Sequence, residues 1–131
     1  MKYLLILFSV ISLNAALPER FVRAVHLVET SGRVGPIPGK AGELGPLQIT
    51  RACWIDACEK DKALANKKFD ACASLTYSKR VMEAYFLRYG AADLKAHRLE
   101  NLARLWNGGP RWRDKPWSTK GYWLKIKKEL K

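Results

Sequence analysis

Glu29 is the side chain in this 131-residue sequence best placed to do acid–base chemistry. Val22, Val25 and Val28 recur at helical spacing just before it, so the segment reads as a helix, with Glu29 on or beside its apolar stripe. A carboxyl group in that position loses water and its charged form is disfavoured, so its pKa rises toward the range useful to a general acid. Glycoside cleavage needs such a group to protonate the leaving-group oxygen. The competing reading is a Glu that finishes a turn or pairs with one of the many Lys and Arg side chains.

Two later segments bear on that choice. Glu29-Thr30-Ser31-Gly32 is followed by Gly45-Pro46-Leu47-Gln48-Ile49 and then by Leu105-Trp106-Asn107-Gly108-Gly109-Pro110. In order and rough spacing these resemble the lysozyme-like superfamily, which includes lytic transglycosylases and goose-type and invertebrate-type lysozymes. There a first helix ends in a catalytic Glu followed by Ser/Thr and Gly. A short β-hairpin leads to a Gly-x-x-Gln-Ile element, and a later helix ends in an aromatic-Asn-(Ala/Gly)-Gly turn. The run from Ala103 to Pro110, and Trp54-Ile55-Asp56-Ala57 after the Gln element, look especially like the invertebrate-type and the bacterial or phage forms. The resemblance spans roughly Phe21 to Trp123, and three weak motifs in the right order carry it.

The resemblance implies a mainly α-helical (α+β) domain with a small β-hairpin. It also implies an enzyme that cuts the β-1,4 bond between N-acetylmuramic acid and N-acetylglucosamine, by hydrolysis or by lytic transglycosylation, with Glu29 as general acid. The partner would be peptidoglycan glycan strands, with no cofactor and no metal. Gln48 would border the cleft, and Asn107, with Gly108 in the same turn, would contact sugar or orient the site. Trp106 stands where transglycosylases usually carry Tyr. Read for themselves, these residues have plainer explanations. Gln48 can tie down hairpin backbone, Asn107 can end a helix, and Thr30 and Ser31 can bond local backbone while supporting Glu29. Trp106, Trp112, Trp117 and Tyr122 fall at or beyond helix ends, where sugar rings can stack on them.

A second carboxylate is harder to find. Retaining glycosidases hold two carboxyls about 5–5.5 Å apart and inverting ones about 6.5–9.5 Å apart. Invertebrate-type lysozymes carry an Asp in the hairpin, but the matching position here is Ile37 or Pro38. Glu43 is the acid of this hairpin, and Asp56 reads as a surface or capping residue. If Glu43 positions a water, products carry a free reducing end. If it only braces the turn, Glu29 acts alone as acid and then base, and a 1,6-anhydro product is expected; the position of Glu43 beside the turn leans toward that outcome.

Met1-Lys2-Tyr3, the apolar run from Leu4 to Leu13 and then Asn14-Ala15-Ala16 read as a secretory signal peptide, 1–16, before a single domain, 17–131. A secreted or periplasmic monomer is expected. No later segment is apolar enough to span a membrane. Without Lys2 the chain keeps 23 basic against 12 acidic side chains, a net charge of +11. Such a chain accumulates on anionic polymers, although no dedicated nucleic-acid signature is present. Two further classes therefore stand beside the enzyme: a catalytically silent peptidoglycan-binding module, and a cationic protein acting on anionic membranes or nucleic acid. Cys53, Cys58 and Cys72 make an odd count, with Cys58–Cys72 the best-placed pair for a bridge and all three read as structural.

The elements that must position these residues are helical. Pro18 opens the first helix. Residues 32–45 hold five Gly and two Pro, which reads as turns and a small irregular hairpin. Thr50 caps a helix from Arg51 to about Lys60. Met82, Tyr85, Phe86 and Tyr89 form one helical stripe that Gly90 stops, and Leu99, Leu102, Ala103 and Trp106 form another. Ser118 is the expected cap of a last helix bearing Tyr122, Trp123, Ile126 and Leu130.

Overall fold

A computed structural model describes residues 17–131; the signal-peptide assignment lies outside the described residues. Six α-helices follow in order: α1 (Glu19–Thr30), α2 (Arg51–Lys60), α3 (Leu75–Tyr89), α4 (Ala91–Lys95), α5 (Leu99–Gly108) and α6 (Trp117–Glu129). Short 3-10 turns occupy Lys62–Asn66, Phe69–Ala73 and Trp112–Asp114. Between α1 and α2 the only pairing among the described residues is two isolated antiparallel bridges, Pro38 with Leu44 and Leu44 with Ile49. The fold is mainly α with a minimal hairpin, as the sequence led us to expect.

Helix ends follow their caps. Thr50 Oγ1 accepts from the Cys53 amide at 3.1 Å and starts α2 where expected. Ser74 Oγ does the same for α3 through the Tyr77 amide at 3.2 Å. α6 differs, because Pro116 is its N-cap and Ser118 lies inside its first turn, donating to the Lys115 carbonyl. The start of α6 is fixed instead from α5: Arg104 Nη1 donates to the Pro116 carbonyl at 2.8 Å and to Thr119 Oγ1 at 3.1 Å. Gly90 ends α3 at φ −146°, so it is not needed for a left-handed turn. Space is tight there, since a Cβ would stand 3.0 Å from Leu105 Cδ2, which would have to shift to admit it.

The core gathers the apolar faces of α1, α3 and α5. Phe21 and Phe86 are fully buried and meet edge to face at 6.0 Å, and Trp106 packs edge-on against both Phe86 and Tyr85 at 5.9 Å. Each such ring contributes about 2–3 kcal/mol by burial alone. Tyr89, the last residue of the expected α3 stripe, is exposed, because the helix turns it past the edge of the core. α6 packs on both α1 and α5, and α2 packs on α3.

The three cysteines are free thiols, so the expected Cys58–Cys72 bridge is absent. Cys72 is fully enclosed and burial pushes its thiol up to about 12, and burial raises Cys53 as well. A protonated thiol is a poor nucleophile. Among the described residues no helix is long and apolar enough to cross a membrane.

Candidate active site

Glu29 sits in the last turn of α1, half-buried, one residue past the stripe of Phe21, Val22, Ala24, Val25 and Val28. The helix ends there because Ser31 and Gly32 both take left-handed backbone conformations, with φ of 56° and 77°. Their amides close back on the carbonyls of Leu27 and His26. Ser31 is therefore a turn residue, exposed to solvent. Thr30 is buried and does more. Its hydroxyl donates to the Pro46 carbonyl at 2.8 Å, which pins the Gly45-Pro46-Leu47-Gln48 segment against the end of α1.

The hairpin is held by that segment. Leu44 and Ile49 exchange both backbone hydrogen bonds, and the Gly45 amide donates to the Ile37 carbonyl at 2.8 Å. Gln48, at φ 53°, spends its side-chain amide on the carbonyls of Ile37 (3.0 Å) and Gly45 (2.9 Å). Only its Oε1 is left to meet another molecule. That oxygen and the Glu43 carboxylate crowd the same face of Gly39: a Cβ on Gly39 would stand 2.5 Å from Gln48 Oε1 and 1.9 Å from Glu43 Oε2. Glu43 Oε2 also accepts from the Ala41 amide at 3.1 Å, which braces the turn.

Burial and three neighbouring groups decide the state of Glu29. Burial is the largest influence and raises its pKa above the ordinary carboxylate value. The Tyr122 hydroxyl lowers it, the charge of Glu43 raises it, and Lys125 lowers it; the balance stays raised. Glu43 thus faces Glu29 closely enough for its charge to be felt. Tyr122 and Lys125 both come from α6, which packs on α1. The Tyr122 hydroxyl is shut off from solvent and no partner meets it in hydrogen-bond geometry. It and Glu29 are near enough to shift each other's ionisation without the alignment of a formed bond. A buried hydroxyl beside the acid is not placed on a surface for stacking.

Gln48 and the Asn107 turn meet in one place. A cleft of about 320 Å³ is lined by Gln48, Asp56, Tyr85, Trp106, Asn107 and Gly108. Trp106 is half-buried and Asn107 exposed at its edge. Gly108 has a packing reason as well, since a Cβ would stand 2.6 Å from Thr119 Cγ2. Asp56 is tied to Arg88 at 3.2 Å, in line with a surface role. Trp112 is buried against Arg113, whose guanidinium lies 4.4 Å from the ring centroid, and is removed from the stacking candidates; Trp117 is 72% exposed. Among the described residues no cluster of His, Cys, Asp and Glu could hold a metal ion. The sequence showed no sign of Arg104, which joins α5 to α6, or of the Thr30–Pro46 clamp.

Neither Glu29 nor Glu43 lines that cleft; Gln48, which shares the face of Gly39 with Glu43, does. A desolvated carboxyl that feels the charge of a second carboxylate is an arrangement that acid-assisted glycoside cleavage can use. Comparison with known proteins agrees with the fold. The chain is 35% identical to Lysozyme 1 of Crassostrea virginica over 83 residues, 63% of this chain and 42% of that one. It therefore spans about two fifths of that relative's length. It is 29% identical to the Lysozyme of Ostrea edulis over 129 residues, 95% of this chain and 90% of the relative. The crystal structure of Meretrix lusoria lysozyme in complex with Aeromonas hydrophila PliI matches it at a TM-score of 0.67 and 27% identity, covering 86% of this chain and 89% of that one. No family model matches the chain. In fold and in sequence the chain is thus similar to lysozymes of the lysozyme-like superfamily.

The Tyr122 contact makes a prediction. Its hydroxyl favours the charged form of Glu29, so Tyr122→Phe should raise the Glu29 pKa further. The alkaline limb of the pH–rate profile, where an acid must still hold its proton, should move to higher pH. A limb that stays in place or moves down would remove Tyr122 from the site's electrostatics.

Proposed function

We propose that the protein is an exported muramidase that cuts the MurNAc-β-1,4-GlcNAc bond of peptidoglycan, with Glu29 as general acid. The observation that carries the reading is the raised pKa of Glu29 at the foot of a buried helical stripe, opposite a second carboxylate. A raised pKa enlarges the protonated fraction at any given pH and so favours donation to the departing glycosidic oxygen. The apolar run before residue 17 supports export.

Glu43 serves as the second carboxylate in this reading. Its charge reaches Glu29, and with one oxygen held by the Ala41 amide the group is oriented while its other oxygen stays available. Ordering a water is work a carboxylate held this way can do, and it favours hydrolysis over the anhydro outcome toward which the sequence leaned. The bracing contact is the one observation on the side of a purely structural Glu43. Glu43→Gln should therefore lower turnover by at least about tenfold, within the range of a lost general base. Wild-type products should carry free reducing ends. Mild loss in Glu43→Gln together with products lighter by one water would instead assign Glu29 both acid and base roles and a transglycosylase outcome.

A further inference from the structure

The face of α2 turned away from the cleft carries a second pocket that the reaction does not use. About 540 Å³ in volume, it is lined by Arg51, Trp54, Lys67, Lys68, Phe69 and Asp70. Its floor is built from fixed parts. Trp54 packs against Phe69 at 5.8 Å, and its indole N–H donates to Tyr77 Oη at 2.8 Å. Tyr77 in turn donates to the Leu64 carbonyl at 2.8 Å, a buried bond that anchors the floor to the first 3-10 turn. Arg51 lays its guanidinium over the Phe69 ring, 4.6 Å from the centroid.

The charges around that floor are unbalanced. Some cations elsewhere pair with carboxylates, among them Lys79 with Glu19, Arg88 with Asp56 and Glu59, and Arg104 with Glu100, while others such as Lys120 and Lys127 make no ion pair among the described residues. Among the described residues Arg51, Lys67 and Lys68 make no ion pair, and Asp70 at the rim is the one acid against three cations. A guanidinium seated over a ring keeps N–H donors free for phosphate oxygens, which its fork matches, while two flexible ammonium groups follow as point charges. The pocket shares α2 with the cleft: Thr50, Ala52 and Cys53 line one side and Arg51 and Trp54 the other.

We infer that the Arg51–Lys67–Lys68 pocket is an accessory site for a phosphodiester-bearing cell-wall polymer, of the polyol-phosphate type attached to glycan strands. It holds the wall while the cleft on the far side of α2 works. The inference rests on the muramidase reading for its setting but concerns binding alone.

The test compares two triple variants of equal charge change, each made from exposed side chains. One is Arg51→Gln/Lys67→Gln/Lys68→Gln. The other is Lys127→Gln/Lys128→Gln/Lys131→Gln on the tail of α6. Affinity for soluble poly(glycerol phosphate) is measured for both in the Glu29→Gln background, so that no cleavage intervenes. Turnover of short uncharged glycan oligomers is measured with Glu29 intact. The pocket triple should lose about tenfold or more in affinity, the scale of one charge-assisted contact, and keep its turnover. The tail triple should lose less than about threefold, the smaller effect expected of exposed, screened charge. Equal losses in both would reduce the effect to diffuse charge and overturn the site. Tighter pocket-dependent binding to a carboxylate polymer such as alginate would overturn the phosphate assignment. Wild-type failure to bind poly(glycerol phosphate), with Glu29-dependent cleavage retained, would sink the accessory site and leave the muramidase reading standing.

Discussion

Glu29→Gln is expected to lower the rate of wall cleavage by about 100- to 10,000-fold, the contribution of a positioned general acid. The amide keeps the shape of the side chain but has no proton to give to the glycosidic oxygen. The fold should survive, because burial already disfavours the charged carboxylate. The sign of the stability change follows from the same fact. A raised pKa in the folded state means that the native protein binds this proton more tightly than the unfolded chain does. The stabilisation is therefore complete below the unfolded pKa and is lost as pH rises through the folded one. At neutral pH Glu29→Gln should melt at or above the wild-type temperature, and its advantage should vanish in acid. A variant that is inactive because it is unfolded would show the reverse.

The largest stability effect is expected at Gly45. This residue sits at φ 84°, and a Cβ there would stand 1.8 Å from the Cys72 carbonyl oxygen and 2.7 Å from its carbon. Both are backbone atoms, so nothing flexible can give way. Gly45→Ala should cost about 2–4 kcal/mol, combining left-handed strain with overpacking. For a domain of this size that is about 10 °C or more in Tm. Gly42 is the control, because it too has positive φ, at 82°, but nothing lies within 4 Å of its missing Cβ. Gly42→Ala should therefore cost only about 1–2 kcal/mol. Equal melting temperatures for the two variants would show that the close approach to Cys72 is not what holds the hairpin. Since Gly45 also receives the Gln48 amide, its variant should disturb the cleft as well.

What was legible in the sequence was local. Val22, Val25 and Val28 placed Glu29 beside an apolar stripe, Thr50 marked the start of α2, and Leu99, Leu102, Ala103 and Trp106 marked α5. Each depends on residues within a turn or two of one another, where helical spacing and capping chemistry act directly. The remaining features come from packing between distant segments. Tyr122 and Lys125 reach Glu29 only because α6 lies on α1, and the Cys72 carbonyl that leaves no room for a Cβ on Gly45 comes from a distant segment. Trp112 looked accessible beyond a helix end, but Arg113 and Arg104 close over its ring. Ser118 lost its capping role because Arg104 fixes the start of α6 two residues earlier, at Pro116. The short α4 has too few residues to show a helical period.

The most direct measurement is mass spectrometry of the fragments released from purified peptidoglycan by the wild-type protein and by Glu29→Gln. The account predicts glycan fragments from the wild type that end in N-acetylmuramic acid, and none above background from the variant. Fragments released by peptide-bond cleavage, or muramic-acid ends released equally by Glu29→Gln, would contradict it.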